Sequence, residues 1–410
     1  MRILLTAHAS YVPPRGGATR SNLLWLEYMA AHGHACRVVA GALADSAGKR
    51  AQMAQEGSNR QALMERGVQV YEVADYSRQT SELRRQIREF QPDWVLVSSE
   101  DLGHGLLREA HDSAPGRVVY LAHTPQFFPF GPASWNPDAS ATELVARAAA
   151  VVAIGNHTAA YICRHAGREA VVIHPPIYGS GPFPNLASFD TGLVAMVNPC
   201  AVKGISIFTA LAARFPAYDF GALPGWGTTA ADRAQMAAHP NIALLPNCRH
   251  IAEFLSRTRI LLMPSLWYEG FGLTVMEAML HGIPVISSDA GGLVEAKMGT
   301  PFVAHAPAIE RYAAVFDAHS LPKPVIGPVD LRPWEDALRA LLTDRELYQR
   351  VSAASREAAL RFTGSLDARR MPEFLQSLKP GEAVPERPSL ANLSPEKRTL
   401  LLRMARSRKH

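Results

Sequence analysis

The chain has 410 residues, 48% hydrophobic and 19% charged, with 29 glycines and 30 prolines scattered without a period; at roughly 150 residues per domain this predicts two or three globular domains and excludes disorder and collagen-like repeats. Its 42 Lys and Arg against 37 Asp and Glu leave a net charge of +5, too small and dispersed an excess for a nucleic-acid partner but compatible with an anionic small ligand. Cys36, Cys163, Cys200 and Cys248 lie far apart with no CxxC pair, which excludes a disulfide framework and a zinc ribbon and suits a reducing compartment.

The chain opens MRILLTAHASY, a short apolar run leading into a Gly-rich loop, which reads as a buried strand and not a signal peptide. Strands are predicted at 3–7, 36–40, 68–73, 94–98, 118–122 and 151–154. Between them, a helix at 21–33 keeps Leu23, Leu24, Trp25 and Met29 toward one side, and one at 81–90 sets Leu83, Ile87 and Phe90 at i, i+4 and i+7. His32, His34 and Cys36 cluster but lack a nearby fourth ligand, so they read as structural and no metal site is expected. The run Arg78, Arg84, Arg85 and Arg88 reads as a solvated helix face. The longest apolar stretch, 146–154, contains Arg147 and falls short of the ~20 residues of a membrane span; a cytoplasmic protein without a transmembrane segment is expected.

Prolines and glycines crowd residues 174–191 and predict an interdomain linker. Alternation then resumes, with strands at 193–197, 218–220, 242–245, 260–263 and 284–287 and helices at 204–215, 251–256, 274–281, 334–343 and 346–362. The pattern is that of parallel sheets covered on both faces. It predicts an α/β chain of two Rossmann-like, doubly wound domains at 1–180 and 190–365. A helix at 366–380 and a flexible basic tail at 381–410 follow, the tail with an amphipathic segment at 394–406. A ligand is expected in the cleft where the carboxyl ends of the two sheets face each other.

The segment from Pro264 to Glu295, PSLWYEGFGLTVMEAMLHGIPVISSDAGGLVE, carries the most chemistry. A strand ends at Pro264, a Gly-containing loop carries Glu269, and a helix begins near Gly272–Thr274 with Glu277 in its first turn. Unpaired amides at such a helix start form a phosphate site. Carboxylates beside it repel phosphate but accept hydrogen bonds from sugar or ribose hydroxyls.

The eight-residue separation of Glu269 and Glu277, followed by GIPV and GGLVE, resembles the E-x7-E signature of the retaining glycosyltransferases of family 4, which have the GT-B fold. The resemblance extends in order through Gly16-Gly17, His123 and Lys203-Gly204, and covers most of residues 1–365. It implies that Glu277 holds the ribose hydroxyls of a nucleotide-diphosphate sugar, a UDP-sugar being favoured, and that Glu269 contacts the transferred sugar. The donor site would comprise Gly16, Gly17, Lys203, Glu269, Gly270, Phe271, Gly272, Leu273, Thr274 and Glu277. Within it, Lys203 neutralises the leaving phosphates, and His123, through its main-chain carbonyl, acts beside Glu269 and Lys203 in catalysis. Relatives often place Arg five residues before this Lys; here Asn198 stands there, which leaves more of the phosphate charge to Lys203 and to helix dipoles. No cofactor or metal is implied, since no Asp pair presents a cation.

Blander readings stay open beside these. Thr274 to Glu277 satisfies a capping box, His123 suits a satisfied strand-end histidine, and Gly16-Gly17 suits a simple turn. The loop TPQFFPFGPASWNP over 124–137 either packs on the N-terminal domain or faces an acceptor, which makes Phe127, Phe130 and Trp135 candidates for acceptor binding together with His8. His8 is also the natural general base of an inverting enzyme. A two-carboxylate glycoside hydrolase and a nucleotide-sugar-binding subunit without independent activity are the alternatives to a transferase. The tail resembles the short helical segment that precedes condensation domains in nonribosomal peptide synthetases, so docking to a biosynthetic partner and a natural-product or glycan acceptor are expectations. A frayed basic tail is the other reading.

Overall fold

The computed structural model describes residues 1–14, 16–42, 60–248, 250–318 and 321–381. Eight strands, β1 (Arg2–Ala7), β2 (Ala35–Gly41), β3 (Arg60–Glu65), β4 (Val68–Val73), β5 (Trp94–Ser98), β6 (Val118–Ala122), β7 (Ala150–Ala153) and β8 (Val171–Val172), form one sheet in the order β3-β4-β2-β1-β5-β6-β7-β8. All neighbours run parallel except β3, which pairs antiparallel with β4. Both faces are covered by helices α1 (Gly17–Ala31), α2 (Tyr76–Phe90), α3 (Gly105–Ser113), α4 (Ala139–Arg147) and α5 (Asn156–Ala166). This is why β1, β5 and β6 read as continuous apolar runs and why Ile3, Leu4, Leu5, Val95, Leu96, Val118 and Val119 are all sealed from solvent.

A second parallel sheet, ordered β11-β10-β9-β12-β13-β14, comprises β9 (Leu193–Val197), β10 (Phe220–Leu223), β11 (Ile242–Leu244), β12 (Thr258–Met263), β13 (Val285–Ser288) and β14 (Val303–Ala304). Its helices are α6 (Ile205–Arg214), α7 (Ala230–Ala237), α8 (Ile251–Leu255), α9 (Leu273–Leu280) and the single turn α10 (Leu293–Ala296). An antiparallel hairpin, β15 (Ile309–Phe316) and β16 (Pro322–Ile326), follows, then α11 (Arg332–Thr343), α12 (Arg345–Gly364) and α13 (Arg370–Ser377). Past α13 the chain returns to the first domain, where the Gly381 amide donates to the Gly116 carbonyl at 2.8 Å.

Strand order reverses at β1/β5 in the first sheet and at β9/β12 in the second. These are the points where helices leave on opposite faces and open a crevice at the carboxyl ends of the strands. Most predicted strands lie within a residue or two of their observed bounds. Three departures matter. Helix α1 starts at Gly17 and not at 21, so Gly16 is its N-cap; β10 spans 220–223 and not 218–220; and β3, β8, β14 and the β15–β16 hairpin were not foreseen.

The arginine run is a paired, solvated face: Arg84 grips Glu109 with two hydrogen bonds, and Arg85 bridges Glu82 and Glu89. His34 binds the chain's amino terminus at 3.1 Å, His32 bonds the Tyr28 carbonyl, and Cys36 is in the core. Among the described residues no helix is long and apolar enough to cross a membrane and no group of His, Cys, Asp and Glu is set to hold a metal. The 394–406 segment lies outside the described residues, as does nearly all of 381–410.

Candidate functional site

The two switch points face each other, and chain leaving β9 and β12 builds one wall of the cleft. After β9 a short 3-10 turn (Ala201–Lys203) presents Lys203. The following Gly204 has φ +83, and a Cβ there would collide with the Pro264 carbonyl, so only glycine lets this turn sit against the end of β12. Lys203 Nζ reaches Glu269 Oε1 at 2.5 Å, the same oxygen accepts from Ser265 Oγ at 2.7 Å, and Nζ also lies 4.8 Å from the centre of the Trp267 ring. Both side chains of this ion pair are largely buried.

Asn198, at the end of β9, adopts φ +54, and its Oδ1 accepts from the Gly227 amide at 2.9 Å. The residue standing where relatives carry Arg thus braces the loop after β10.

The Glu269–Leu273 loop is held from behind, since Glu269 bridges to Gly291 and its carbonyl accepts from the Gly292 amide at 2.8 Å. Helix α9 then starts at Leu273 with Gly272 as N-cap and no side-chain cap, leaving its first amides free for an anion. The capping box between Thr274 and Glu277 does not form. Glu277 lies in the second turn, not the first, and burial pushes its carboxyl up to about 7, with Arg20 opposing.

The first domain supplies the other wall. Gly17, opening α1, packs on the start of α9: a Cβ added to it would lie 2.5 Å from Leu273 Cδ1. One turn later Arg20 pairs with Glu277 at 3.7 Å. His123, immediately after β6, is buried, and its carbonyl oxygen lies so close to the Gly270 Cα that a side chain there would overlap it. Its ring Nε2 meets Asn22 Oδ1 at 3.0 Å, Nδ1 has no partner, and burial pulls its pKa down to about 3, so the imidazole is neutral. The Asn22 amide donates to Ser98 Oγ, so its Oδ1 accepts from His123 and Nε2 carries the proton.

More bonds cross the cleft. Glu295 of α10 caps α5, accepting from the amides of Asn156 and His157 at 3.0 Å each, and Thr158 Oγ donates to the Gly270 carbonyl at 2.9 Å. Arg20, Thr158 and Glu295 were not foreseen. Of these only Glu295 carried a signal, the GGLVE that follows the E-x7-E pair.

The aromatic loop divides. Phe130 packs with Phe128 and Tyr161 in the first domain's core, so the expectation that it meets an acceptor is corrected: the backbone turns it inward. Phe127 and Trp135 point the other way. Their ring centres are 5.4 Å apart, and Trp135 meets Trp267 at 5.2 Å and Tyr312 of β15 at 5.7 Å. His8, past the end of β1, is exposed at one edge and sits edge-on to Tyr76 at 4.4 Å; burial of its ring lowers its pKa, with Asp101 opposing. The structure therefore brings together Gly16, Gly17, His123, Lys203 and the 269–277 segment, with Phe127, Trp135 and His8 on the first-domain side.

The profile of Glycosyltransferase Family 4 matches residues 15–178, and that of Glycosyl transferases group 1 matches residues 220–316. Solved structures similar in fold include a glycosyltransferase from Rickettsia africae, 15% identical, with a TM-score of 0.63 over 92% of this chain and 97% of that one. Anabaena HepE in complex with UDP and glucose is 17% identical, with a TM-score of 0.63 over 92% of this chain and all of that one. The E. coli structure of trehalose-6-phosphate bound with UDP-2-fluoro glucose is 12% identical, with a TM-score of 0.61 over 93% of this chain and all of that one. A curated relative, an uncharacterized 42.6 kDa protein in the cps region of Klebsiella pneumoniae, is 31% identical over 93 residues, 23% of this chain and 25% of that protein. The match thus spans about a quarter of that relative's length.

Proposed function

The chain belongs to the family 4 glycosyltransferases of group 1, with the GT-B fold of two Rossmann-like domains, and from that premise we propose that it moves a sugar from a nucleotide-diphosphate donor to an acceptor hydroxyl with retention of anomeric configuration. The observation that carries this reading is the cluster of Lys203, Glu269 and Glu277 around the uncapped start of α9, with Gly17 seated on Leu273. Free amides and an ammonium suit a diphosphate; the two carboxylates suit hydroxyls of the donor sugar and of the ribose. UDP is the favoured nucleotide, since similar folds bind UDP and UDP-sugars.

In this reading the bond from the anomeric carbon to the diphosphate oxygen breaks while the acceptor oxygen bonds to that carbon on the same face. The acceptor's proton passes to the departing phosphate oxygen. Lys203 and the α9 amides stabilise the charge growing on the diphosphate, and the His123 carbonyl dipole faces the cationic sugar. Glu269 orients the sugar through its hydroxyls and forms no covalent bond. A cytoplasmic setting agrees with four free cysteines. A peptide or polyketide natural product, reached through docking by the basic tail, is one acceptor class we keep, and a glycan is the other.

Calorimetry with UDP, GDP and dTDP tests the nucleotide site. Micromolar binding of one and weak binding of the others is expected, and no binding by any of them overturns the donor reading.

A further inference from the structure

On the acceptor side of the cleft one carboxylate has no structural duty. Glu100 follows β5 by two residues, at the strand-order reversal of the first sheet. β5 pairs with β1 and β6, and just past it Ser99 donates its amide to the Leu121 carbonyl at 2.9 Å and accepts at its Oγ from the His123 amide at 3.0 Å. Glu100 therefore leaves the sheet between the strand ends that carry His8 and His123.

Its neighbour Asp101 is fully used: one oxygen accepts from the Tyr76 hydroxyl and the other from the Leu106 amide at 2.7 Å. Glu100 differs. Among the described residues its carboxylate has no hydrogen-bond or ion-pair partner, although it is partly buried, and burial alone pushes its pKa up to about 7. A desolvated carboxylate without a donor is costly, and a ligand that supplies donors relieves that cost.

The loops after β5 and β6 are joined to each other. Asn136 Nδ2 bonds the Leu102 carbonyl at 2.8 Å, and His104 Nε2 lies 3.1 Å from the Asn136 carbonyl. These bonds tie the loop bearing Trp135 over the loop bearing Glu100. On the other flank stand His8 and Tyr76. Gln126, on the loop after β6, is buried with its Oε1 unpartnered, so an acceptor atom on the neighbouring loop lacks a donor as well. Aromatic edges flanking acceptor oxygens suit a sugar ring, which offers C–H faces to the former and donors to the latter.

We propose that Glu100 is the acceptor-positioning residue of this enzyme and that the acceptor it holds is a sugar ring, gripped through vicinal hydroxyls or a hydroxyl beside an amino group. Only the statement that this sugar is the acceptor rests on the transferase reading; the binding site itself does not. Choosing which ring donors are gripped fixes which remaining hydroxyl faces the donor.

The test uses the full chain, with and without saturating UDP, and methyl glucoside, methyl galactoside and methyl glucosaminide as probes in ligand-observed NMR. At least one probe should bind the wild type in the millimolar range. Glu100→Ala should weaken it tenfold or more and Glu100→Gln at least threefold, with UDP affinity within twofold of wild type in both. Preference for the glucosaminide marks an amino-sugar class; preference for the neutral glycosides marks a hydroxyl pair. The proposal is overturned if no glycoside binds the wild type, or if Glu100→Gln binds as the wild type does. Should UDP fail to bind while glycoside binding still depends on Glu100, the donor reading falls and this one stands.

Discussion

The carbonyl oxygen of His123 lies against the Cα of Gly270, close enough that a side chain at 270 has no room. Two domains meet at that point with backbone against backbone, and the Thr158 hydroxyl bonded to the Gly270 carbonyl fixes the approach. Gly270→Ala should therefore hold the walls apart. Overpacking of this kind costs about 1–3 kcal/mol, and we expect kcat to fall at least tenfold. Nucleotide affinity should change less than threefold, because Lys203 and α9 belong to one domain. Steady-state kinetics beside UDP calorimetry check this; unchanged kcat would mean that the approach is irrelevant to turnover.

Lys203→Ala should cut turnover by roughly two orders of magnitude, the scale of losing a charge-assisted contact to a leaving group. The structure adds a second consequence, since the substitution also strips Glu269 of the ammonium that neutralises it. The loss in Lys203→Ala combined with Glu269→Gln should then be smaller than the sum of the two single losses in free energy. Additive losses would show that the pair acts independently.

Glu277 gives a pH signature. Burial raises its folded-state pKa to about 7 from an unfolded value of about 4.3. Its contribution to stability is thus fully present below pH ~4, and is lost as pH rises through about 7. Glu277→Gln should melt like wild type near pH 4 and be more stable by about 2–4 kcal/mol at pH 8, read from thermal unfolding without nucleotide. Binding runs the other way, because ribose hydroxyls favour the ionised carboxylate. UDP-glucose, which does not titrate in this range, should bind wild type more tightly as pH rises from 6 to 8. Flat binding in wild type across that range would rule out a ribose contact through Glu277.

Those residues were legible for a reason that did not extend to their partners. Glu269 and Glu277 lie on one local strand–loop–helix unit, so their spacing alone sets their relation to the phosphate-binding amides. Arg20 and Thr158 acquire their places only when the two sheets face each other, and Glu100 only when β1, β5 and β6 line up in the first sheet; nothing local in TRSN, NHTA or SSED announces it. Phe130 was misplaced because a Pro-rich loop has no period to say which ring turns inward. The β15–β16 hairpin escaped because β15 is mostly exposed and shows no inside–outside alternation. Its Tyr312 nevertheless completes the aromatic contact between the domains.

That contact carries a prediction of its own. Trp135 joins the loop after β6 to Trp267 and Tyr312 of the other domain. Tyr312→Ala should raise the acceptor KM severalfold and leave UDP affinity unaltered, since its ring meets Trp135 of the first domain whereas the nucleotide is assigned to Glu277 and the α9 amides. A shift in UDP affinity with an unchanged acceptor KM would assign the hairpin to the donor instead.

Stereochemistry separates the remaining mechanisms. Glu269 lies on the loop that leads into the phosphate-binding amides of α9, with its carboxylate held by Lys203 and Ser265. A covalent nucleophile must attack the anomeric carbon from the face opposite the phosphate, whereas a group fixed beside the phosphate site meets ring hydroxyls. Glu269→Gln should then lower kcat by roughly two orders of magnitude while nucleotide affinity stays within a few-fold, because Glu277 and the α9 amides are untouched. His8 is edge-on to Tyr76, with its pKa lowered by burial. The lowered pKa favours the neutral imidazole, the form a general base requires. Retention has no use for that base, so His8→Ala should keep at least a tenth of wild-type kcat and give the same anomer. Proton NMR of the first-formed product reads the anomer directly. An inverted product, with activity abolished in His8→Ala, would replace this mechanism with general-base catalysis by His8.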